Sequence, residues 1–445
     1  MAIISEDDCR TIMKKALSYS KANECEISFS GSDSGNIRYA RNSVSTSGFI
    51  SQTNMVISSA YGKKLGIVTT NEYDDASIEK AVRLSETLAQ FAPENPEFVS
   101  FLGPQTYSPP SKTFDADTAA ITPAMRTDKV SESLQIAKDN KLIAAGYLQN
   151  SASFSSMMNS HGLFAYFTGT DASFSITLRT EDGQGSGYST KDYNAVSKLD
   201  TLNFTKTAAQ KATRSAGAKA IEPGKYTVIL EPAAGIVLLE QLYGGLDART
   251  ADEGRSFLSK TGGKTKLGDK LVDERINIYS DPSNPELPTG SWAGDGRPQE
   301  KISWIEKGVL KNLTYSRYWA QKQGVKGIPS PDSIIMDGTD ATLEDLIKGT
   351  EKGILVTRLW YIRPVDPQTL LYTGLTRDGT FYIENGQIKF PIKNMRFNES
   401  PVIMLNNLDA LGKPERTVSG ESFSSALIPP MRIKEFTFTS LSDAV

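Results

Sequence analysis

The chain has 445 residues, 38% of them hydrophobic and 23% charged, with 35 Gly and 21 Pro; this is an ordinary globular composition over a length sufficient for two or three domains. Forty-nine Lys and Arg against fifty-two Asp and Glu leave a formal charge of −3, the wrong balance for a protein that grips phosphate backbones. One histidine, His161, and two cysteines, Cys9 and Cys25, cannot furnish the usual ligands of tetrahedral zinc, so any metal here would need mainly oxygen ligands, and a disulfide framework is excluded.

In chain order, Ser5 followed by Glu6, Asp7 and Asp8 predicts a capped helix start, and Ile12, Met13, Ala16 and Leu17 continue it at helical spacing. Cys25, Ile27 and Phe29, then Ile37, Tyr39 and Arg41, alternate as in strands, and β-type composition persists from Phe49 through Val56 to Val68. From Asp75 the period returns to 3.6, with Ile78, Ala81, Val82, Leu88 and Ala89 on one stripe before Pro93 and Pro96. Residues 93–122, with Pro93, Pro96, Pro104, Pro109 and Pro110, read as an extended connection. A helix over Pro123–Asp139 precedes a β-rich meander from Leu142 to Ser189, a helix over Thr205–Ala216 follows, and Glu222-Pro223-Gly224 marks a turn. Beyond it, Tyr226–Leu230 is a buried-type strand, Pro232 opens a helix, and the remainder is mostly strands and loops. The fold class is α+β: N-terminal helix and antiparallel-sheet units over residues 1–100 and 101–222, together one N-terminal domain, then a β-rich C-terminal domain over 223–445. The N-terminus lacks the basic and apolar regions of a secretory signal, and the longest apolar runs, such as Gly235–Leu239, are too short to span a bilayer. A reduced, cytoplasmic protein is expected.

Several motifs resolve to structure. Gly262-Gly263-Lys264-Thr265 resembles the end of a phosphate-binding loop, but Leu258 stands where that loop needs its first Gly. Gly183-Gln184-Gly185-Ser186-Gly187 lacks the spacing of a dinucleotide fingerprint and reads as a hairpin turn. No Gly-x-Ser-x-Gly elbow occurs, and His161 sits at a turn, so a Ser-His-Asp triad is not expected.

The strand Gly224–Leu230, the helix opened by Pro232 and the apolar run to Leu239, followed by Glu240-Gln241-Leu242-Tyr243-Gly244-Gly245, form the kind of element on which zinc peptidases mount His ligands and a catalytic Glu. This segment resembles the TldD/TldE family, the latter also called PmbA or modulator of DNA gyrase. TldD members carry His-Glu-x-x-x-His after the apolar run; here Glu240, Gln241 and Gly245 occupy the three working positions, and the Thr417-Val418-Ser419-Gly420 stretch, which corresponds to the family's C-terminal zinc Cys, has no thiol. The resemblance extends to Ile37-Arg38-Tyr39-Ala40-Arg41-Asn42, to Lys63–Asn71, to Asp295-Gly296 after Trp292, and to Thr373-Gly374 with Gly379–Gly386 and Pro391.

The missing ligands make the chain similar to the TldE/PmbA type. That resemblance implies a metal-free subunit of a cytoplasmic metallopeptidase complex, with no cofactor of its own and zinc only in a TldD-like partner. It implies peptide substrates and neither nucleic acid nor membrane. Trp292 and Asp295, and Trp360, Arg363, Arg377 and Asp378 at strand ends, are candidates for a peptide-binding cleft, since Trp and Arg are favoured anchors; a rim of core aromatics and solvated charges is the alternative. Two other functional readings stand beside this one: a homodimeric peptide-binding or scaffold protein without peptidase activity, and a hydrolase using Glu240, Asp295 or Asp378 with an oxygen-ligated metal or none.

Overall fold

The computed structural model describes residues 3–108, 112–422 and 424–442; Met1 and Ala2, and Pro109 and Pro110 of the predicted connection, lie outside the described residues. Helix α1 (Glu6–Tyr19) starts where Ser5 Oγ accepts from Asp8 N at 3.2 Å, and it buries Cys9, Met13 and Ala16. Strands β1 (Glu24–Ala40), β2 (Ser43–Tyr61) and β3 (Lys64–Thr70) follow, then α2 (Asp75–Phe91), capped by Asp74. The proline-rich connection contains one helical turn, α3 (Ala116–Ala119), before α4 (Pro123–Asp139), β4 (Leu142–Asn159), β5 (Phe164–Thr180), β6 (Ser186–Tyr193) and α5 (Thr201–Ser215). Helix α5 begins four residues before its predicted start because the Asp200 side chain accepts from Asn203 N, a cap that supports a first turn without an apolar stripe.

The six strands form one antiparallel sheet in the order β3-β2-β1-β4-β5-β6. Alternation decides its two faces. Cys25, Ile27, Phe29, Ile37 and Tyr39 of β1 are buried beneath helices, α1 and α2 covering one half and α4 and α5 the other. Two glycines admit helices closely: a Cβ at Gly187 would lie 2.1 Å from the Ala208 carbonyl of α5, and one at Gly66 2.1 Å from the Ser85 carbonyl of α2. The opposite face carries Ser28, Ser30, Ser32, Ser34 and Asn36 of β1, paired with Met157, Ser155, Ser153, Ser151 and Gln149 of β4. These ten residues make a floor that is polar and uncharged along its middle, with an apolar patch at one end and Arg38, Asp171 and Asp192 at the other.

The remaining chain folds as β7 (Gly224–Leu230), α6 (Pro232–Gly244), α7 (Ala248–Asp252), the ribbon β8 (Ser259–Lys260) and β9 (Lys264–Thr265), β10 (Ile278–Ser280), β11 (Ile302–Glu306), β12 (Val309–Leu310), α8 (Arg317–Gln323), β13 (Ile334–Met336) and α9 (Leu343–Lys348). It continues with β14 (Lys352–Val356), β15 (Leu359–Asp366), β16 (Leu371–Thr376), β17 (Thr380–Glu384), β18 (Gln387–Pro391), β19 (Met395–Glu399), α10 (Pro401–Asn406), β20 (Leu408–Leu411), β21 (Glu415–Val418), β22 (Ser425–Ile428) and β23 (Met431–Leu441). Nine strands make a curled sheet, β15-β16-β19-β23-β7-β14-β17-β18 with β20 beside β23, and six make a second, β12-β11-β10-β13-β22-β21. Helix α6 lies in their shared core, with Ile236, Leu238 and Leu239 clustered with Val228, Ile354 and Phe397 of the first sheet and Ile278, Trp304 and Met336 of the second. A helix apolar on all sides is stable only when enclosed in this way. The short helices α7 to α10 are too brief to leave a period in the sequence; α7, α8 and α9 are set by their caps Asp247, Ser316 and Thr342, and α10 starts at Pro401.

The two regions meet along a seam of ion pairs: Arg416 Nη2 to Asp192 Oδ2 at 2.9 Å, Lys211 to Glu231 at 2.6 Å, and Arg249 to Glu97 at 2.8 Å. No helix among the described residues is long and apolar enough to cross a membrane.

Candidate functional site

Helix α6 leads out of β7 and delivers Glu240 and Gln241 in its last turns and Gly245 at its C-terminal cap. Glu240 faces the turn between β21 and β22: Ser422 Oγ donates to Glu240 Oε1, and the hydroxyls of Ser419 and Ser424 also reach the carboxylate. Burial raises the Glu240 carboxyl above the usual carboxylate range, and the serine hydroxyls pull it back. The structure therefore brings together the two stretches that the resemblance paired, the end of the apolar helix and the Thr417–Gly420 segment with the turn after it.

The donors gathered there do not fit zinc. One carboxylate stands among hydroxyls, whereas zinc takes imidazole, thiolate and carboxylate ligands. Gln241 turns its amide back to the Val237 carbonyl at 3.3 Å. A Cβ at Gly245 would lie 2.7 Å from the Phe257 ring, so an imidazole has no room at that position without displacing Phe257. Among the described residues no three His, Cys, Asp or Glu side chains gather as a metal site would require.

Beside this turn lies a second cluster. Asp378 is 1% exposed; its Oδ1 accepts from Ser186 Oγ of the N-terminal sheet at 2.6 Å, and its Oδ2 accepts from Arg358 Nη1 at 2.7 Å. The Arg358 guanidinium lies 3.9 Å from the Tyr188 ring centroid and 4.9 Å from that of Trp360, and Arg377 lies 5.1 Å from Trp360. A Cβ at Gly420 would touch Arg358 at 3.3 Å, and Tyr361 N donates to Glu421 Oε1 at 2.8 Å, so the aromatic and cationic cluster is continuous with the Glu240 turn. Arg363, exposed on β15, stacks over Tyr361 at 4.0 Å.

Trp292 and Asp295 lie elsewhere. Trp292 packs on Met157, Leu163 and Ala165 at the apolar end of the polar floor, with its Nε1 buried and without an acceptor among the described residues. Asp295 is paired with Arg297 at 2.7 Å, and Tyr107 donates to the Gly296 carbonyl at 2.8 Å. Met157 sits in the row of Ser28, while Tyr188 sits in the row of Ala40; at roughly 3.3 Å per residue the two rows are about 40 Å apart along β1. The six cleft candidates therefore form two sets at opposite ends of one floor.

Sequence reasoning missed Ser186, Tyr188, Arg358 and Ser422. Ser186 was in view only as part of a glycine-rich turn, and its partner is 192 residues away. Arg358 had a usable signal, since it precedes Trp360 by two residues and such spacing places side chains on one side of an extended chain.

Models of the PmbA/TldA metallopeptidase domains match the chain in order: domain 1 over residues 25–89, the central domain over 110–219 and the C-terminal domain over 223–440. An uncharacterized protein of Methanocaldococcus jannaschii is 24% identical over 372 residues, covering 79% of this chain and 83% of that protein. Metalloprotease PmbA of Escherichia coli O157:H7 is 24% identical over 287 residues, covering 62% of this chain and 61% of its own length. Among solved structures, TldE from Thermococcus kodakarensis superposes with a TM-score of 0.87 at 19% identity, covering 97% of this chain and 99% of that one. A putative modulator of DNA gyrase from Bacteroides thetaiotaomicron gives 0.84 at 21% identity, covering 99% and 100%.

Proposed function

The chain belongs to the PmbA/TldD metallopeptidase family, and on that premise we propose that it is the metal-free subunit of a two-chain peptidase, holding peptides for a zinc-bearing TldD-like partner. The observation that carries this reading is the donor set at the end of α6, where Glu240 is bonded to serine hydroxyls and Phe257 fills the space beside Gly245. Two features favour peptide binding as its contribution. The middle of the floor, from Ser30 to Asn36 of β1 and Gln149 to Ser155 of β4, offers hydroxyl and amide groups without charge, which suits main-chain contacts of any sequence. Strand β15 is the edge of the nine-stranded sheet and carries Trp360 and Arg363, so an extended peptide has backbone groups to pair with and side-chain anchors beside them.

The test is zinc content and peptide hydrolysis of the purified chain, alone and mixed with the zinc-bearing homologue from the same source. Zinc and activity are expected only in the mixture. Chelator-sensitive hydrolysis by the lone, contaminant-free chain would overturn the reading.

A further inference from the structure

Where the polar face of the N-terminal sheet passes under β21 and β22, it is hollowed into a cavity of 590 Å³, a size suited to a small organic ligand. Two carboxylates line it. Asp192 of β6 stands opposite Ser173 of β5, and Asp171 lies two residues along β5 on the same face, which makes the carboxylates diagonal neighbours. Asp192 is 4% exposed. Its Oδ2 accepts from Arg416 Nη2 at 2.9 Å and from Ser425 Oγ, while its Oδ1 is buried with no donor among the described residues. The Asp171 side chain has no hydrogen-bond donor among the described residues either; burial, and then the Asp192 charge, push its carboxyl up to about 7.

The nearby cations do not satisfy Asp192 Oδ1 or Asp171, although Arg416 Nε is also buried without a partner among the described residues. Arg416 also donates to Asn194 Oδ1 at 3.0 Å and to the Glu286 carbonyl at 2.9 Å, and Arg38 lies 5.4 Å from the Tyr147 ring centroid. A buried carboxylate oxygen without a donor is costly, and such a group in a cavity implies a ligand that brings one. A metal ion is a poor match, because no third His, Cys, Asp or Glu among the described residues joins the pair. A primary ammonium is a better one: it carries three N–H donors and one positive charge, and Tyr147, Phe174 and Tyr188 of the wall give its alkyl part apolar contact.

We propose that this cavity binds a primary ammonium group, held by Asp192 Oδ1 and Asp171 and supplied either by the amino terminus of a peptide or by a free alkylamine. The inference stands on the cavity and does not require a peptidase partner. Binding tightens as pH rises, because Asp171 must shed its proton to receive the cation. The charged and titratable groups that line the cavity or set this proton's energy are Asp192 and Tyr188 on β6, Tyr147 on β4, Arg38 on β1 and Arg416 on β21.

Calorimetric titration of the full chain with tetra-alanine, its N-acetylated form and butane-1,4-diamine tests the proposal. Binding of tetra-alanine but not of its acetylated form identifies the peptide terminus as the source, and binding of the diamine alone identifies a free amine. The diamine arm, where binding occurs, should tighten about tenfold between about pH 6 and about pH 8. Asp171→Asn, which removes no hydrogen bond among the described residues, should abolish that pH dependence and weaken binding at least about tenfold at the higher pH. Equal affinity for free and acetylated peptide, no binding of any amine at millimolar concentration, or unchanged binding by the Asp171→Asn chain would overturn the proposal. A chain that binds no amine yet supports hydrolysis in the two-chain mixture loses this inference and keeps the proposed function.

Discussion

Glu399 shows how much a single carboxyl can set the pH response. It is 3% exposed and accepts from the backbone N–H groups of Ser400 and Thr437 at 3.1 Å each, yet burial outweighs these bonds and lifts it to about 7. In the unfolded chain the group titrates near its ordinary value of about 4.3, so its contribution to stability is full below that pH and is lost as pH rises through about 7. The loss is on the order of 3 kcal/mol. Urea unfolding across that range should show stability falling as pH rises, and Glu399→Gln should reduce the slope, leaving the comparable share of Asp171, which has the same sign. An unchanged slope in the variant would contradict the assignment. At this scale the sequence was legible where a motif carried position: the resemblance set Glu240 at the end of an apolar helix and pointed to the Thr417–Gly420 stretch, and Glu240 does end α6 and accept from Ser422, just beyond that stretch. It was opaque where burial decides chemistry, since nothing in the local run around Glu399 or Asp171 distinguishes a buried acid from a solvated one.

Elements that bury one face over many residues were readable, and those fixed by caps or contacts were not. Strands β1, β4 and β5 alternate over 17, 18 and 17 residues because one face lies under helices, and α1 shows its stripe for the same reason, as does α2 except at Leu88, which faces solvent. In the C-terminal region many strands have only two to five residues, too few for a period to emerge, and the order in which they pair depends on contacts distant in sequence. The Gly183–Gly187 run illustrates the boundary: it was read correctly as a hairpin turn, but Gly187 also admits α5 against β6. Gly187→Val should therefore cost about 1–3 kcal/mol in denaturant unfolding, because the Ala208 carbonyl is backbone and cannot move aside. The same substitution at Gly183, where a Cβ would meet nothing within 4 Å but φ is +72°, should act through backbone strain alone.

At the scale of the molecule, the two regions are held by groups that belong to both. Asp378 joins Ser186 of the first to Arg358 of the second, and Asp192 joins Arg416. Neutralising one partner leaves the other charge buried and unpaired, which typically costs about 3–5 kcal/mol. Asp378→Asn should lose stability of this order in chemical unfolding and expose the seam to limited proteolysis, whereas Ser186→Ala should lose about 1.5–3 kcal/mol, the worth of one hydrogen bond to a charged group. Equal stability of wild type and Asp378→Asn would show that the pair is dispensable. The candidate residues Trp360, Arg377 and Asp378 were visible in sequence as aromatics and charges at strand ends, but their coupling to a hairpin on the other sheet was not, because the contact exists only once both regions are formed.

The pairing of β1 with β4 has a consequence for how the protein is made. Strand β1 ends at Ala40, and its second neighbour is not complete until Asn159. At about 5–20 residues per second on the ribosome, the nascent chain spends roughly 5–25 s with one edge of β1 open and half of its sheet unsynthesised. That edge, with four Ser and two Gly among its 17 residues, offers unpaired backbone groups to any neighbouring strand. A fragment stopped near residue 100 would keep that edge permanently exposed and should aggregate rather than fold.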